Sequence, residues 1–194
     1  MSFDLAKLYE FAFRGQLAEE ALDRAGRLTK GNTAFDAAEL RRMLAIDVLD
    51  TEYVDRAEKM AFVYITVAAF ENSVRDLIKG TLLEAVGEDW WEKSVSEKIR
   101  RSANSRMEEE QKIRWHVQRG DDPIRFTMLP NLANIIQQNY EQFEDYLPSI
   151  DWVKNVFEIV ERSRNVIMHS GMLSDRDIAR LGSLIRDWNS QVSI

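Results

Sequence analysis

Apolar residues recur at the spacing of an α-helix along most of the chain. Residues 3–25 place them at roughly every third or fourth position, and the pattern resumes over residues 34–49 after a polar turn at residues 29–33. We therefore predict a helical extension over residues 1–50 and a main helical domain over residues 51–194. No stretch alternates apolar and polar residues for long enough to build a sheet, so the predicted fold class is all-α, a helical bundle.

The longest predicted helix runs from about Thr51 to Val86. Its middle, residues 60–70, is apolar almost all the way round, which predicts that other helices surround it. Gly87 is expected to end the helix, because glycine adopts the left-handed backbone of a helix terminus without strain. This helix is predicted to lie at the centre of the bundle and to pack against the helix that ends at His169.

Two more helices are predicted before residue 150. Trp90 and Trp91 open a charged stretch that reaches roughly Arg119, and a loop at residues 120–123 separates it from a helix over residues 131–146. The tryptophan pair can be read as a base-stacking platform or as a core anchor. Large aromatic side chains at a helix start favour the anchor.

The segment from Trp152 to His169 predicts an amphipathic helix that carries the candidate chemistry. At about 100° per residue its apolar side chains fall on one wide arc, which predicts a buried face. Asn165 and His169, four residues apart, share the polar face, and Arg164 lies at its border. The apolar arc comprises Val153, Val156, Phe157, Ile159, Val160, Val166, Ile167 and Met168.

Capping signals follow this helix directly. Gly171 is expected to take the left-handed conformation that ends it, and His169 then meets the negative end of the helix dipole. Ser174 and Asp177 have the spacing of a capping box, which predicts a final helix that continues through Trp188. His169 can therefore act as a cap, a role that is compatible with chemistry.

Composition narrows the range of functions. The chain has no cysteine, which excludes a disulfide framework, a thiolate zinc site and a cysteine nucleophile. The net charge of −7 argues against a protein that coats nucleic acid with a globally positive surface. The first residues lack the pattern of a signal peptide, and no apolar run approaches the length of a membrane span. We expect a cytoplasmic protein with no membrane partner.

One stretch has the opposite charge balance. Residues 93–125 contain nine basic and six acidic side chains, which leaves room for a local basic site. A solvated helical face is the interpretation that we favour for this excess.

Arg164, Asn165 and His169 are the candidate catalytic residues. Arginine supplies a planar fork of donors suited to phosphate, and histidine can take and return a proton at neutral pH. RNA carries its own nucleophile in the 2′-hydroxyl, so its cleavage needs an acid, a base and charge stabilisation. With only two histidines in the chain, His116 and His169, few metal ligands exist, and we expect no metal and no cofactor.

The Arg164-Asn165-x-x-x-His169 segment resembles the R-N-x3-H form of the R-x4–6-H motif of the HEPN superfamily. The resemblance covers roughly residues 52–188 and includes a long helix with Glu71 and Arg75, then the tryptophan pair and a closing helix. It is closest to the branch named after a yeast transcript-surveillance endonuclease. The resemblance implies a compact helical protein that forms homodimers and cleaves RNA without a metal.

The same resemblance implies roles for the motif. His169 would act as general base or acid, Arg164 would bind the scissile phosphate, and Asn165 would orient one of them. Glu71 and Arg75 are weaker supporting candidates, and their spacing favours a structural ion pair. The expected setting is a toxin, abortive-infection or RNA-processing system, with an antitoxin or other partner protein as a further binding partner.

Two other functions are compatible with the sequence. A non-catalytic HEPN module would keep the fold and motif but only dimerise and bind RNA, a nucleotide or a partner protein. A structural helical adaptor would use His169 only as a cap and would be a monomer. The intact motif favours catalysis, and the acidic net charge disfavours it.

Overall fold

The computed structural model of the protein describes residues 37–113 and 115–192, together with Arg14 and Ala18. This part of the chain is helical and contains no strand, which confirms the all-α class. None of its helices is long and apolar enough to cross a membrane. The chain divides into two compact units, Met1–Leu49 and Asp50–Ile194.

The first unit contributes helix α1, Ala37–Met43, and a 3₁₀ turn at Ile46–Val48. Ala45 separates them with a left-handed backbone, φ 51°. The helix predicted over residues 34–49 is therefore shorter than its apolar pattern indicates. The helices predicted over residues 3–25 lie outside the described residues, apart from Arg14 and Ala18, which are helical.

The second unit begins with the long helix α2, Thr51–Val86, at the predicted bounds. The Asp50 carboxylate caps it by accepting from the Glu52 backbone N–H at 2.9 Å. Gly87 ends it with a φ of 86°, as predicted. One stripe of α2 enters the core: Met60, Val63, Val67, Phe70, Val74, Ile78 and Leu82.

The other side of α2 is not covered, and here the sequence prediction was wrong. Phe62, Tyr64 and Ile65 are 73%, 55% and 60% exposed. The other described helices of this unit pack on one stripe only, so an apolar residue on the opposite side of α2 meets none of them. Phe62 and Ile65, about 60° apart round the helix, lie opposite the buried stripe, whereas Tyr64 borders that stripe. We call Phe62 and Ile65 the α2 apolar face.

Five helices complete the second unit: α3 (Trp90–Ser94), α4 (Glu97–Gln111), α5 (Leu129–Gln138), α6 (Ile150–Met168) and α7 (Asp175–Val192). Trp90 and Trp91 are both buried, which confirms the anchor interpretation. Short 3₁₀ turns at Pro123–Phe126 and Tyr140–Gln142 flank α5.

Two predicted helices end earlier than expected. The charged stretch after Trp90 breaks at Val95, whose backbone is extended, and stops at Gln111 instead of Arg119. The helix predicted over residues 131–146 stops at Gln138, because Asn139 leaves the helical backbone at φ −124°. Its side-chain amide instead donates to carbonyl oxygens of α5 and of α3.

An aromatic cluster joins α2, α6 and α7, so the predicted packing of α2 against α6 is confirmed. The Phe70 ring meets Phe157 and Trp188 edge-on, with ring centroids 5.8 Å and 5.5 Å apart. Trp188 also stacks on Trp152, at 5.6 Å and 2° between the planes. Aromatic pairs in these geometries add to the stability gained from burying their area.

The two ends of α6 are built differently from each other. Ser149 caps the start by accepting from the Trp152 N–H at 3.1 Å. At the other end Ser170, not the predicted Gly171, has the left-handed backbone, φ 59°. Gly171 is needed for space, since a Cβ there would lie 2.8 Å from the Val166 carbonyl oxygen.

The capping box predicted at the start of α7 is confirmed: Asp177 Oδ2 accepts from the Ser174 backbone N–H at 3.2 Å.

The buried arc predicted for α6 is correct only in its first three turns. Val153, Val156, Phe157 and Val160 are buried, whereas Val166 and Met168 are exposed. The last turn of α6, which leads to His169, thus carries apolar side chains that no neighbour covers in the described residues.

We predict that Trp188→Ala lowers the free energy of unfolding by about 3–5 kcal/mol, because it empties the centre of the aromatic cluster. Trp188→Phe should cost less, since part of the ring contact remains. Trp115→Ala is the matched control: its side chain is exposed, so the effect should stay within about 0.5 kcal/mol. Urea unfolding followed by circular dichroism measures all three, and equal losses for Trp188→Ala and Trp115→Ala would contradict this account.

Candidate functional site

The Glu71 carboxylate connects two arginines from different helices. Its Oε2 accepts from Arg75 Nη2 at 3.0 Å, and its Oε1 lies 3.3 Å from Arg164 Nε. The first contact confirms the predicted ion pair within α2. The second contact joins α2 to α6 and brings three of the five sequence-predicted site residues together.

Arg75 is held on several sides. Its Nη2 also donates to the Thr127 carbonyl oxygen at 3.1 Å, and its Nη1 donates to Asn72 Oδ1 at 3.1 Å. Its Nε is buried without a hydrogen-bond partner among the described residues. These contacts tie α2 to the segment before α5 and keep Arg75 in place beside Glu71.

The three side chains open onto a pocket of about 180 Å³. Four arginines and two glutamates provide its charged groups: Arg75, Arg106, Arg119, Arg164, Glu71 and Glu161. Phe126 and Leu129 are among its apolar lining. Four cations against these two carboxylates and the Glu110 carboxylate that binds Arg119 leave a local excess of one positive charge, which suits an anion such as a phosphate group.

Arg106 and Arg119 reach the pocket from α4 and from the loop that follows it. Arg106 Nη1 donates to the Phe126 carbonyl oxygen at 2.7 Å. The Arg119 backbone N–H and Nε donate to the two Glu110 carboxylate oxygens, each at 2.6 Å. The guanidinium also lies 4.6 Å above the Phe126 ring centroid, within cation–π range.

These bonds affect the protonation of Glu110. The hydrogen bond from the Arg119 backbone, together with the one from its guanidinium, holds the pKa of the Glu110 carboxyl below its ordinary value. The carboxylate is therefore charged at neutral pH and keeps Arg119 anchored at the pocket.

Asn165 and His169 lie outside this cluster. Both are exposed, and neither lines the pocket. His169 is the C-terminal cap residue of α6, where its backbone N–H donates to the Asn165 carbonyl oxygen at 3.2 Å. Five residues of helix place it about 7.5 Å along the axis from Arg164 and about 140° round it. A ligand that meets both side chains must extend beyond the pocket.

The sequence analysis missed Arg106, Arg119 and Glu161 as members of the site. The basic excess over residues 93–125 is the sequence signal for the two arginines, although a solvated helical face also explains such an excess. Tertiary packing brings Arg106, on α4, and Arg119, in the loop after it, to the pocket shared with α2 and α6. No group of three or more His, Asp or Glu side chains in the described part of the chain is arranged to hold a metal ion.

We predict that Glu71→Gln lowers the free energy of unfolding by about 1–3 kcal/mol, because it leaves two mostly buried guanidinium groups without their shared carboxylate. Glu158→Gln is the matched control, since Glu158 forms a pair of the same spacing with Arg162 on the exposed side of α6. Exposed pairs contribute at most about 1 kcal/mol. Urea unfolding compares the two variants, and an equal loss for both would contradict the bridging role of Glu71.

Comparisons with known proteins gave no match: no family model, no curated protein and no solved structure matches the chain. The resemblance carried by Arg164, Asn165 and His169 therefore stays a prediction. The arginine pocket and the exposed end of α6 are the features of the described residues that bear on function.

Proposed function

We propose that the protein is a metal-independent endoribonuclease whose helical bundle is of the HEPN type, with an N-terminal helical extension. One observation supports this most: Arg164 lines an arginine-rich pocket on the helix that ends with the accessible imidazole of His169. A phosphate binder and a proton-transfer group on one rigid helix are what cleavage of RNA by its own 2′-hydroxyl requires.

In this proposal Arg164 binds the scissile phosphate. Its Nε faces Glu71, and no described residue bonds its two terminal nitrogens. The planar fork can therefore donate to phosphate oxygens on which charge develops during the reaction. Glu71 and Arg75 do not touch the substrate in this scheme. They hold the Arg164 guanidinium at one orientation.

His169 supplies the proton transfer. It takes the proton of the 2′-hydroxyl as the 2′-oxygen attacks phosphorus, and the bond from phosphorus to the 5′-oxygen breaks. The departing 5′-oxygen receives a proton from a protonated imidazole. The products are a 2′,3′-cyclic phosphate and a 5′-hydroxyl, with no water consumed in this step. Asn165, on the same exposed face, orients His169 or the phosphate.

The active form in this proposal is a homodimer. The α2 apolar face is exposed to solvent, and so are Val166 and Met168 in the last turn of α6. The helices α2 and α6 pack against each other. Exposed apolar side chains of this kind are typical of protein interfaces. In the proposed dimer a second copy packs on these side chains and the two His169 side chains share one site, where one acts as base and the other as acid.

A second function has its own support. Asn165 and His169 lie outside the arginine pocket, so a ligand bound in the pocket alone does not meet the imidazole, and this favours a HEPN module that binds RNA, a nucleotide or a partner protein without cutting. A role in a toxin, abortive-infection or RNA-processing system, with an antitoxin where one exists, is compatible with either function.

The catalytic prediction is that the protein cleaves single-stranded RNA in EDTA and leaves 2′,3′-cyclic phosphate ends. His169→Ala should lower kcat by roughly 10²–10⁴-fold, because it removes the proton-transfer group. Arg164→Ala should also impair cleavage, and Arg164→Lys should restore only part of it, since lysine lacks the bidentate fork. Arg162→Ala is the matched control on the same helix, because that arginine is exposed and pairs with Glu158.

Single-turnover cleavage of a labelled RNA measures these rates, and end-group analysis identifies the products. Equal rates for the parent and His169→Ala would overturn the nuclease proposal. Tight binding without cleavage under every condition would favour the binding module.

The dimer prediction is tested separately. Ile65→Glu should convert a dimer at micromolar concentration into a monomer, because it buries an unpaired charge in the interface. Val117→Glu, at a side chain of similar type and high exposure in the loop after α4, should leave the dimer intact. Light scattering measures both variants. A parent protein that is monomeric at this concentration would contradict the dimer and the shared site.

A further inference from the structure

The loop between α4 and the Pro123–Phe126 turn exposes a tryptophan. Trp115 is 85% exposed, and Val117 beside it is 89% exposed. The other four tryptophans of the chain are used in packing: Trp90, Trp91 and Trp188 are buried, and Trp152 stacks on Trp188. Trp115 contributes nothing comparable to the core, so folding gives no reason for its presence.

The ring of Trp115 is nevertheless supported on one side. It meets the His116 ring edge-to-face, with centroids 5.4 Å apart and 75° between the planes. His116 Nδ1 in turn lies 3.1 Å from the Val117 carbonyl oxygen. Because Trp115 remains 85% exposed, the indole keeps a flat face available for stacking of a planar ligand.

The same loop leads into the arginine pocket. Arg119 follows Trp115 by four residues, which span at most about 14 Å of extended chain. Glu110 and Phe126 fix Arg119 at the pocket, and a Lys79–Asp122 ion pair of 2.6 Å anchors the far end of the loop to α2. At about 3.4 Å per stacked nucleotide, the backbones of the two residues are therefore separated by no more than the length of about four nucleotides.

We propose that this loop is a binding subsite for single-stranded RNA, in which Trp115 stacks an unpaired base while Arg106 and Arg119 bind a phosphate of the same strand in the pocket. No described residue bonds the terminal nitrogens of Arg119, because Glu110 accepts only from its Nε and its backbone N–H. An aromatic face next to cations is the arrangement by which proteins hold single strands without reading their sequence.

The identification of the strand as RNA rests on the proposed nuclease function. The subsite also explains how an acidic protein can hold a polyanion. Four arginines gather at one pocket, and base stacking supplies binding that does not depend on charge.

Tryptophan fluorescence tests the subsite in the full chain. The probe is a 2′-O-methyl oligonucleotide of about ten residues, which lacks the free 2′-hydroxyl and so separates binding from cleavage. Binding should quench the exposed Trp115. Trp115→Ala should remove this quenching and weaken binding roughly 5- to 150-fold, the effect of losing one stacked base. Trp115→Phe should keep most of the affinity, because phenylalanine still stacks.

Val117→Ala is the matched control, since it is equally exposed in the same loop but cannot stack. Arg106→Ala and Arg119→Ala should weaken binding and reduce the salt dependence of the affinity by about one released ion each. Arg162→Ala should change neither quantity, because that arginine lies outside the pocket. Unfolding curves confirm that each variant remains folded.

The outcomes separate this subsite from the nuclease function. Equal oligonucleotide affinity for Trp115→Ala and Val117→Ala overturns the subsite, even if the protein cleaves RNA. Quenching by anionic lipid vesicles but not by the oligonucleotide also overturns it and identifies the loop as a membrane contact. If His169→Ala cleaves RNA as fast as the parent while Trp115→Ala still loses affinity, the nuclease proposal fails and the subsite stands.

Discussion

The packing of Phe70 against Phe157 and Trp188 sets the position of the Glu71–Arg164 contact at the candidate site. Phe70 and Glu71 are consecutive residues of α2, so the contact that buries the ring also orients the carboxylate next to it. That carboxylate reaches Arg75 on its own helix and Arg164 on α6. An apolar contact thus determines a polar one, because both helices are rigid and a shift of one turn would separate the pair.

Burial strengthens this polar contact. Glu71 and Arg75 are mostly buried, and charges in such surroundings attract each other more strongly than charges in water. Removing one partner leaves the other desolvated, whereas the exposed pair of Glu158 and Arg162 loses little when broken. The guanidinium of Arg164, whose side chain is 34% exposed, is linked to this buried pair by its 3.3 Å contact with Glu71.

Charge is distributed very unevenly over the molecule. The chain as a whole is acidic, yet four arginines converge on one pocket, and two of them come from the segment with the local basic excess. The net charge of a protein governs its long-range attraction to other molecules and its solubility, whereas a half-buried cluster of arginines attracts an anion over only a few ångströms. An acidic chain can for this reason hold a site for an anion, provided that short-range contacts supply most of the binding.

Much of the fold was determined by the sequence alone. Helical periodicity and capping residues predicted α2 at both ends, the buried tryptophan pair, the start of α7 and the Glu71–Arg75 pair, because each depends on residues a few positions apart. Only the tertiary structure decided which apolar residues are covered, as the exposed Phe62 and Met168 show. It also brought Arg106 and Arg119 to Arg164 across three segments of chain, since charges distant in sequence meet only where packing places them.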